Sequence, residues 1–141
     1  MSVEENKALV RRIFDEVNKR NFAAFDEIWA ASATYHDPSL PDVRSREEYK
    51  QYVTQGVQAF PDAKMAIDVI VGEGDTTATR YSFTGTHKAE YMGIPPTGKQ
   101  VKTTGMYFTR FAKGKIVESW ANSDTLGLLQ QLGVIPGPAQ K

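Results

Sequence analysis

The residues best suited to chemistry are an aspartate near the end of the chain and a histidine near its first quarter. In an extended strand Glu118, Trp120, Asn122 and Asp124 share one face. A carboxylate beside so large an apolar surface has its charged form disfavoured, which suits proton exchange with a carbon acid. Asp124 also directly precedes Thr125-Leu126, where a helix should begin, and aspartate is a strong N-cap. One residue could do both. His36, one of two histidines, lies among Tyr35, Asp37 and Pro38. Its neutral imidazole could hydrogen-bond a substrate carbonyl or carry a proton, or it could be tied to Asp37 or to backbone. His87 ends a predicted strand before a long loop and could face a cavity mouth or solvent.

Arg110 shares a strand face with Met106 and Phe108, so burial there would require a partner, and Glu118 stands across the Lys113-Gly114 turn. A two-residue turn pairs Ala112 with Lys115 and sets Arg110 opposite Val117, on the wrong face for both Glu118 and Asp124. We therefore expect a β-bulge between residues 103 and 124. The alternative is a solvated arginine on the outer face.

Other chemistries lack their residues. The sequence has no His-x-His, His-Glu-x-x-His or cysteine cluster, so no metal is expected. No serine sits in a Gly-x-Ser-x-Gly elbow, and no Gly-x-Gly-x-x-Gly or phosphate loop is present, so no nucleotide or other cofactor is expected.

The elements that must position these residues divide into helices, then strands. Ser2 and Glu5 have capping-box spacing, followed by an apolar stripe of Leu9, Val10, Ile13, Phe14 and Val17. A short second helix follows Asn21, then an extended segment through Ala33–Asp37 stopped by Pro38. Ser45 and Glu48 repeat the capping spacing before a third helix that ends near Phe60-Pro61-Asp62. From Ala66 onward β-branched and aromatic residues dominate, and strands are predicted at about 65–73, 75–88, 101–112 and 115–124. Gly74-Asp75 and Lys113-Gly114 form tight turns, and the Gly/Pro-rich stretch from Tyr91 to Gln100 forms a loop. A terminal helix through Leu126, Leu128, Leu129 and Leu132 stops at Gly133.

This order predicts an α+β fold in which helices cover one face of a curved, antiparallel or mixed sheet. A sheet curled around the first helix leaves one end of a cone open, with an apolar pocket inside. Tyr107, Phe60 and Trp120 are candidates for its wall together with Tyr49, Tyr52, Tyr81 and Phe83, which could equally be plain core. Met92, with Tyr91 and Ile94, is a candidate for its rim, unless the loop only connects two strands.

The 141 residues, 40% hydrophobic and 24% charged, suit one domain spanning 1–141. Seventeen basic residues balance 17 acidic ones, so no net field draws in nucleic acid or a membrane surface. There is no cysteine, and the start Met1-Ser2-Val3-Glu4-Glu5 lacks the parts of a signal peptide; a cytoplasmic location is expected.

Four segments, in order, resemble the SnoaL-like polyketide cyclase family of the nuclear-transport-factor-2-like superfamily. They are Tyr35-His36-Asp37-Pro38, Ala59-Phe60-Pro61-Asp62, and Gly85-Thr86-His87 leading to Gly93-Ile94-Pro95-Pro96-Thr97-Gly98-Lys99. The last is Gly114-Lys115-Ile116-Val117-Glu118-Ser119-Trp120, followed by Asp124 and Gln131-Leu132-Gly133. The resemblance implies the cone fold, a homodimer, and a cofactor-free intramolecular aldol condensation. It implies an acid/base role for Asp124 and a cavity position for His36. At Arg110 the chain departs from the family's pattern, in which a second cavity histidine is expected.

Together these features lead us to expect an acid/base enzyme on a small hydrophobic carbonyl compound. Asp124 would take the α-proton and His36, with a neighbouring hydroxyl or Arg110, would steady the enolate. Isomerisation, dehydration or epoxide hydrolysis would use the same pocket. A lipophilic-ligand binding module or dimerising scaffold would share every fold signal.

Overall fold

The computed structural model describes residues 1–137. Helix α1 (Val3–Asn18) opens with the full capping box, in which Ser2 Oγ accepts from the Glu5 N–H and Glu5 accepts from the Ser2 N–H. Its buried stripe of Val10, Ile13, Phe14 and Val17 rests on the sheet. A 3-10 turn (Phe22–Ala24) and the short α2 (Phe25–Ile28) follow, then strand β1 (Trp29–His36) and helix α3 (Arg46–Ala59). Ser45 caps α3 by accepting from the Glu48 N–H, but the return bond goes elsewhere: Glu48 accepts from the Arg44 N–H at 2.8 Å.

Strands β2 (Lys64–Glu73), β3 (Thr76–Thr86), β4 (Gln100–Ala112) and β5 (Lys115–Ser123) precede helix α4 (Thr125–Gln131). These match the expected strands to within two residues. The one sheet runs β1-β5-β4-β3-β2, antiparallel except where β1 joins β5 in parallel. The segment expected to be a brief extended piece is thus an eight-residue edge strand.

The sheet curves at register breaks. One lies in β2, where Asp68 is extra between Ile67 and Val69; another lies between β4 and β5, where Val117 is extra. The second falls in the span 103–124 where a bulge is expected, and it pairs Arg110 with Glu118. Bulges increase local twist, and here they wrap the sheet around α1. The fit is close at Gly72, where an added Cβ would fall 2.7 Å from a Val3 methyl. A second cluster of Ala59, Phe60, Ala63, Val101 and Leu132 closes the end where α4 packs.

Two side chains fasten α1 to the start of β2. The Asn18 amide donates to the Met65 carbonyl at 2.9 Å and accepts from the Met65 N–H at 3.0 Å. Arg20, at φ 64°, donates to the carbonyls of Val17, Pro61 and Ala63. Asn18→Ala strands a half-buried backbone pair and should cost about 1–3 kcal/mol, read as a lowered urea midpoint with an unchanged slope.

Candidate functional site

The open end of the cone leads to a cavity of about 730 Å3, within the size range of small-molecule pockets. Its wall takes Phe14 from α1, Tyr49 and Tyr52 from α3, and Tyr35, Tyr81 and Tyr107 from the sheet. Phe60 lies at the end of α3, and Tyr91 and Met92 come from the long loop. Burial pushes the hydroxyls of these tyrosines above the ordinary phenol range. They therefore stay neutral and available as hydrogen-bond donors. The Tyr91 and Tyr52 hydroxyls lie near each other.

A polar line crosses this apolar wall. Asp37, only 5% exposed, accepts from the Ser39 N–H (2.8 Å) and the Ser39 hydroxyl (2.6 Å) at Oδ1. At Oδ2 it accepts from the Ser123 hydroxyl at 3.2 Å. The Tyr81 phenol lies near Ser123, across Gly105. Glycine makes this possible: an added Cβ on Gly105 would collide with the Tyr81 ring and hydroxyl, so only a bare backbone lets the phenol lie across β4.

Asp124 stands at the cavity mouth, where β5 passes into α4. It caps α4, accepting from the Gly127 N–H at 2.9 Å through Oδ1. Oδ2 has no hydrogen-bond donor among the described residues. Gly127 is required here as well, because an added Cβ would overlap the Asp124 carboxylate.

Tyr107, Phe60, Met92 and Asp124 thus lie on the cavity, but four other expected residues do not. His36 faces away. Tyr35 takes the inward position, so alternation turns His36 outward and Asp37 inward; the imidazole lies between Asp42 (3.1 Å) and Glu118 (2.9 Å). Trp120 is also outside, 40% exposed and stacked on His36. The strand ends at Ser123, and Asp124, at φ −77° and ψ 68°, turns out of the alternation that would have kept it beside Trp120. Arg110 pairs with Glu118 at 3.3 Å on that outer face, where the bulge puts both. His87 is fully buried but behind the loop. Its Nδ1 accepts from the Thr97 N–H at 3.2 Å and contacts the Thr97 hydroxyl at 3.0 Å, its ring stacks on Phe60, and its Nε2 has no partner.

Asp37 and Ser123 are the polar residues that the sequence reading missed. The parity of Tyr35 with Asp37 was a signal for the first. Ser123, and the place of Tyr81 near it, depend on the pairing that brings Tyr81 opposite Gly105 and Gly105 opposite Ser123.

The model of the SnoaL-like polyketide cyclase family matches residues 8–132. The chain belongs to that family. No match was found among curated proteins. Among solved structures, IdmH from Streptomyces antibioticus, assigned as a polyketide cyclase, is 32% identical over 91% of this chain and 98% of its own, with a TM-score of 0.81. A chain from Acidithiobacillus ferrooxidans, likewise assigned as a polyketide cyclase, is 31% identical over 95% and 99%, with a TM-score of 0.80. AclR from Streptomyces galilaeus, assigned as a hydroxylase, is 29% identical over 99% and 87%, with a TM-score of 0.87. The resemblance in the four sequence segments is thus a family membership, and the cone is the nuclear-transport-factor-2-like fold. Different assigned reactions on one frame also show that a SnoaL-like cone does not fix the chemistry inside it.

The outer cluster of this SnoaL-like chain has its own electrostatics. Hydrogen bonds to Asp42 and then Glu118 raise the His36 pKa above its ordinary 6.5, while bonds from His36 and then Arg110 lower that of Glu118. The His36 contribution to stability is complete below the unfolded histidine pKa and is lost as pH rises through the raised folded value. That of Glu118 is present above the unfolded carboxyl pKa and is lost as pH falls through the lowered one. An NMR titration should place the His36 midpoint above 6.5, and Glu118→Gln should bring it down.

Proposed function

We propose that the chain is a cofactor-independent acid–base enzyme acting on a hydrophobic carbonyl compound, and that its reaction is an intramolecular aldol condensation that closes a ring. The observation that carries this reading is Asp124 at the cavity mouth, with Oδ1 fixed by the Gly127 N–H and Oδ2 without a partner. Such a carboxylate is held in place and still has a basic oxygen to offer. The α-proton of the substrate passes to Oδ2. The enolate carbon then attacks a second carbonyl of the same molecule, and the new alkoxide takes the proton back from Asp124.

His36 has no part in this scheme. The donors to the enolate oxygen are cavity phenols, with Tyr91 and Tyr52 nearest the rim segment. One such donor contributes about 3 kcal/mol to barrier lowering, the order measured for an oxyanion-hole group. Family membership supports the reaction class, and the aromatic wall supports a flat, apolar substrate. A cysteine-free sequence suits the cytoplasm, where we place it.

A binding module without turnover is the second reading, favoured by the cap that Asp124 forms on α4. The two separate on rate. Asp124→Asn, whose amide oxygen can still cap, should lower ring closure of an aromatic poly-β-ketone about 10²–10⁴-fold and leave affinity within a few-fold. Gly127→Ala, by displacing the carboxylate, should also lower the rate. If Asp124→Asn closes the ring as fast as the parent, the protein is a binder.

The same reading takes the active form to be a homodimer. Register aligns His36, Trp120, Phe108, Ala78 and Val71 in one outward row across all five strands. Phe108 is 56% exposed and Met106 61%, an apolar stripe of the kind that marks an interface. The ion pairs Arg110–Glu118 and Asp68–Arg80 flank it on opposite sides, so a two-fold-related copy meets both signs of charge. Sedimentation at micromolar concentration should give a dimer, and Phe108→Asp a monomer.

A further inference from the structure

The polar groups on the cavity wall are unequal in a way that bears on what can enter. Among the described residues the carboxyl groups that line it are those of Asp37, Glu90 and Asp124; no lysine, arginine or histidine is among the lining residues. Two of its hydroxyls are already engaged. Ser119 donates to the Phe108 carbonyl at 2.9 Å and is paired with Thr109 at 3.0 Å.

Asp37 differs. It is buried, its Oδ1 is fully occupied by Ser39, and its Oδ2 holds only the 3.2 Å bond from Ser123. A carboxylate oxygen accepts from two directions, so Oδ2 retains acceptor capacity where it borders the cavity. A buried acceptor of this kind rewards a ligand hydroxyl and penalises any ligand that brings a lone pair or a negative charge to the same point.

Resting on the reading of this cavity as the substrate site, we infer that Asp37 is its specificity-determining residue. It accepts a hydrogen bond from a phenolic or enolic hydroxyl of an uncharged aromatic ligand, and the all-acidic lining excludes the corresponding free carboxylic acids. The ligand class is then a hydroxylated aromatic that arrives neutral, with its hydroxyl at the Asp37 end. An anion would lose its water without meeting a compensating cation.

Three naphthalenes of nearly equal size test this by calorimetry at neutral pH: 2-naphthol, 2-methoxynaphthalene and 2-naphthoate. The expected order on the parent protein is naphthol tightest, the methyl ether at least fivefold weaker, and naphthoate at least tenfold weaker than naphthol. In Asp37→Asn, whose side-chain oxygen can still accept from Ser39, naphthoate should tighten and the advantage of naphthol over its ether should shrink to within twofold. Equal affinity of naphthol and ether on the parent overturns the hydroxyl contact. Naphthoate binding as tightly as naphthol overturns the exclusion of anions, and no binding of any probe at millimolar concentration overturns both. The parent series alone decides the matter if the variant does not fold. No turnover is read, so failure of the acid–base role of Asp124 would leave this order standing, and failure of this order would leave the rate loss in Asp124→Asn standing.

Discussion

In a strand each residue belongs to one side of the sheet or the other, and nearly every property of this molecule depends on which side was dealt to whom. The sheet has an inner face wrapped around α1 and the cavity and an outer face that carries the His36, Trp120 and Phe108 row. One extra residue, Val117, decides the division along β5. It sends Ile116 inward and Glu118 outward, and from there Ser119, Ala121 and Ser123 fall on the cavity side. Without it the register would set Val117 opposite Arg110 and turn the remainder of the strand over. The bulge therefore fixes both the outer ion pair and the hydroxyl that reaches Asp37.

The same rule explains what could be read in the sequence. Element types and order were legible because capping boxes, the stripe on α1 and the turn glycines are local signals. A bulge in the β4–β5 hairpin was legible too, because pairing Arg110 with Glu118 requires one, though its place at Val117 was not. The site was harder. Placing His36 in the cavity followed family resemblance, whereas the parity of Tyr35 turns it outward and gives the inward position to its neighbour Asp37. Trp120 and Asp124 share parity in sequence, yet the strand stops at Ser123 and the chain bends before the aspartate. The Tyr81–Ser123–Asp37 line needs three strands in register and a missing side chain at Gly105. No window of sequence contains that information.

Asp124 shows how a single carboxylate can serve two demands. Its capping oxygen satisfies a helix N–H that would otherwise lack a partner, and in doing so fixes the orientation of the other oxygen. Gly127 leaves the space both require. Rigidity at this point comes from secondary structure itself, so a reactive group is held without a dedicated second layer of supporting side chains.

The loop over the mouth is locked from behind: His87 bonds to Thr97, the backbone closes between His87 and Lys99 and between Gly98 and His87, and the histidine ring is sealed against Phe60. Beyond that lock projects a small turn, with Tyr91 and Ile94 paired and Met92 and Gly93 at its tip. Phe60 packs on both His87 and Tyr91, so the turn is held at its base while Met92 and Gly93 at its tip stand apart from the lock. A change at the tip alters the doorway without loosening the frame, so evolution or an engineer could alter what the cavity admits by exchanging two residues, while the cone, the acid and the sheet stay as they are.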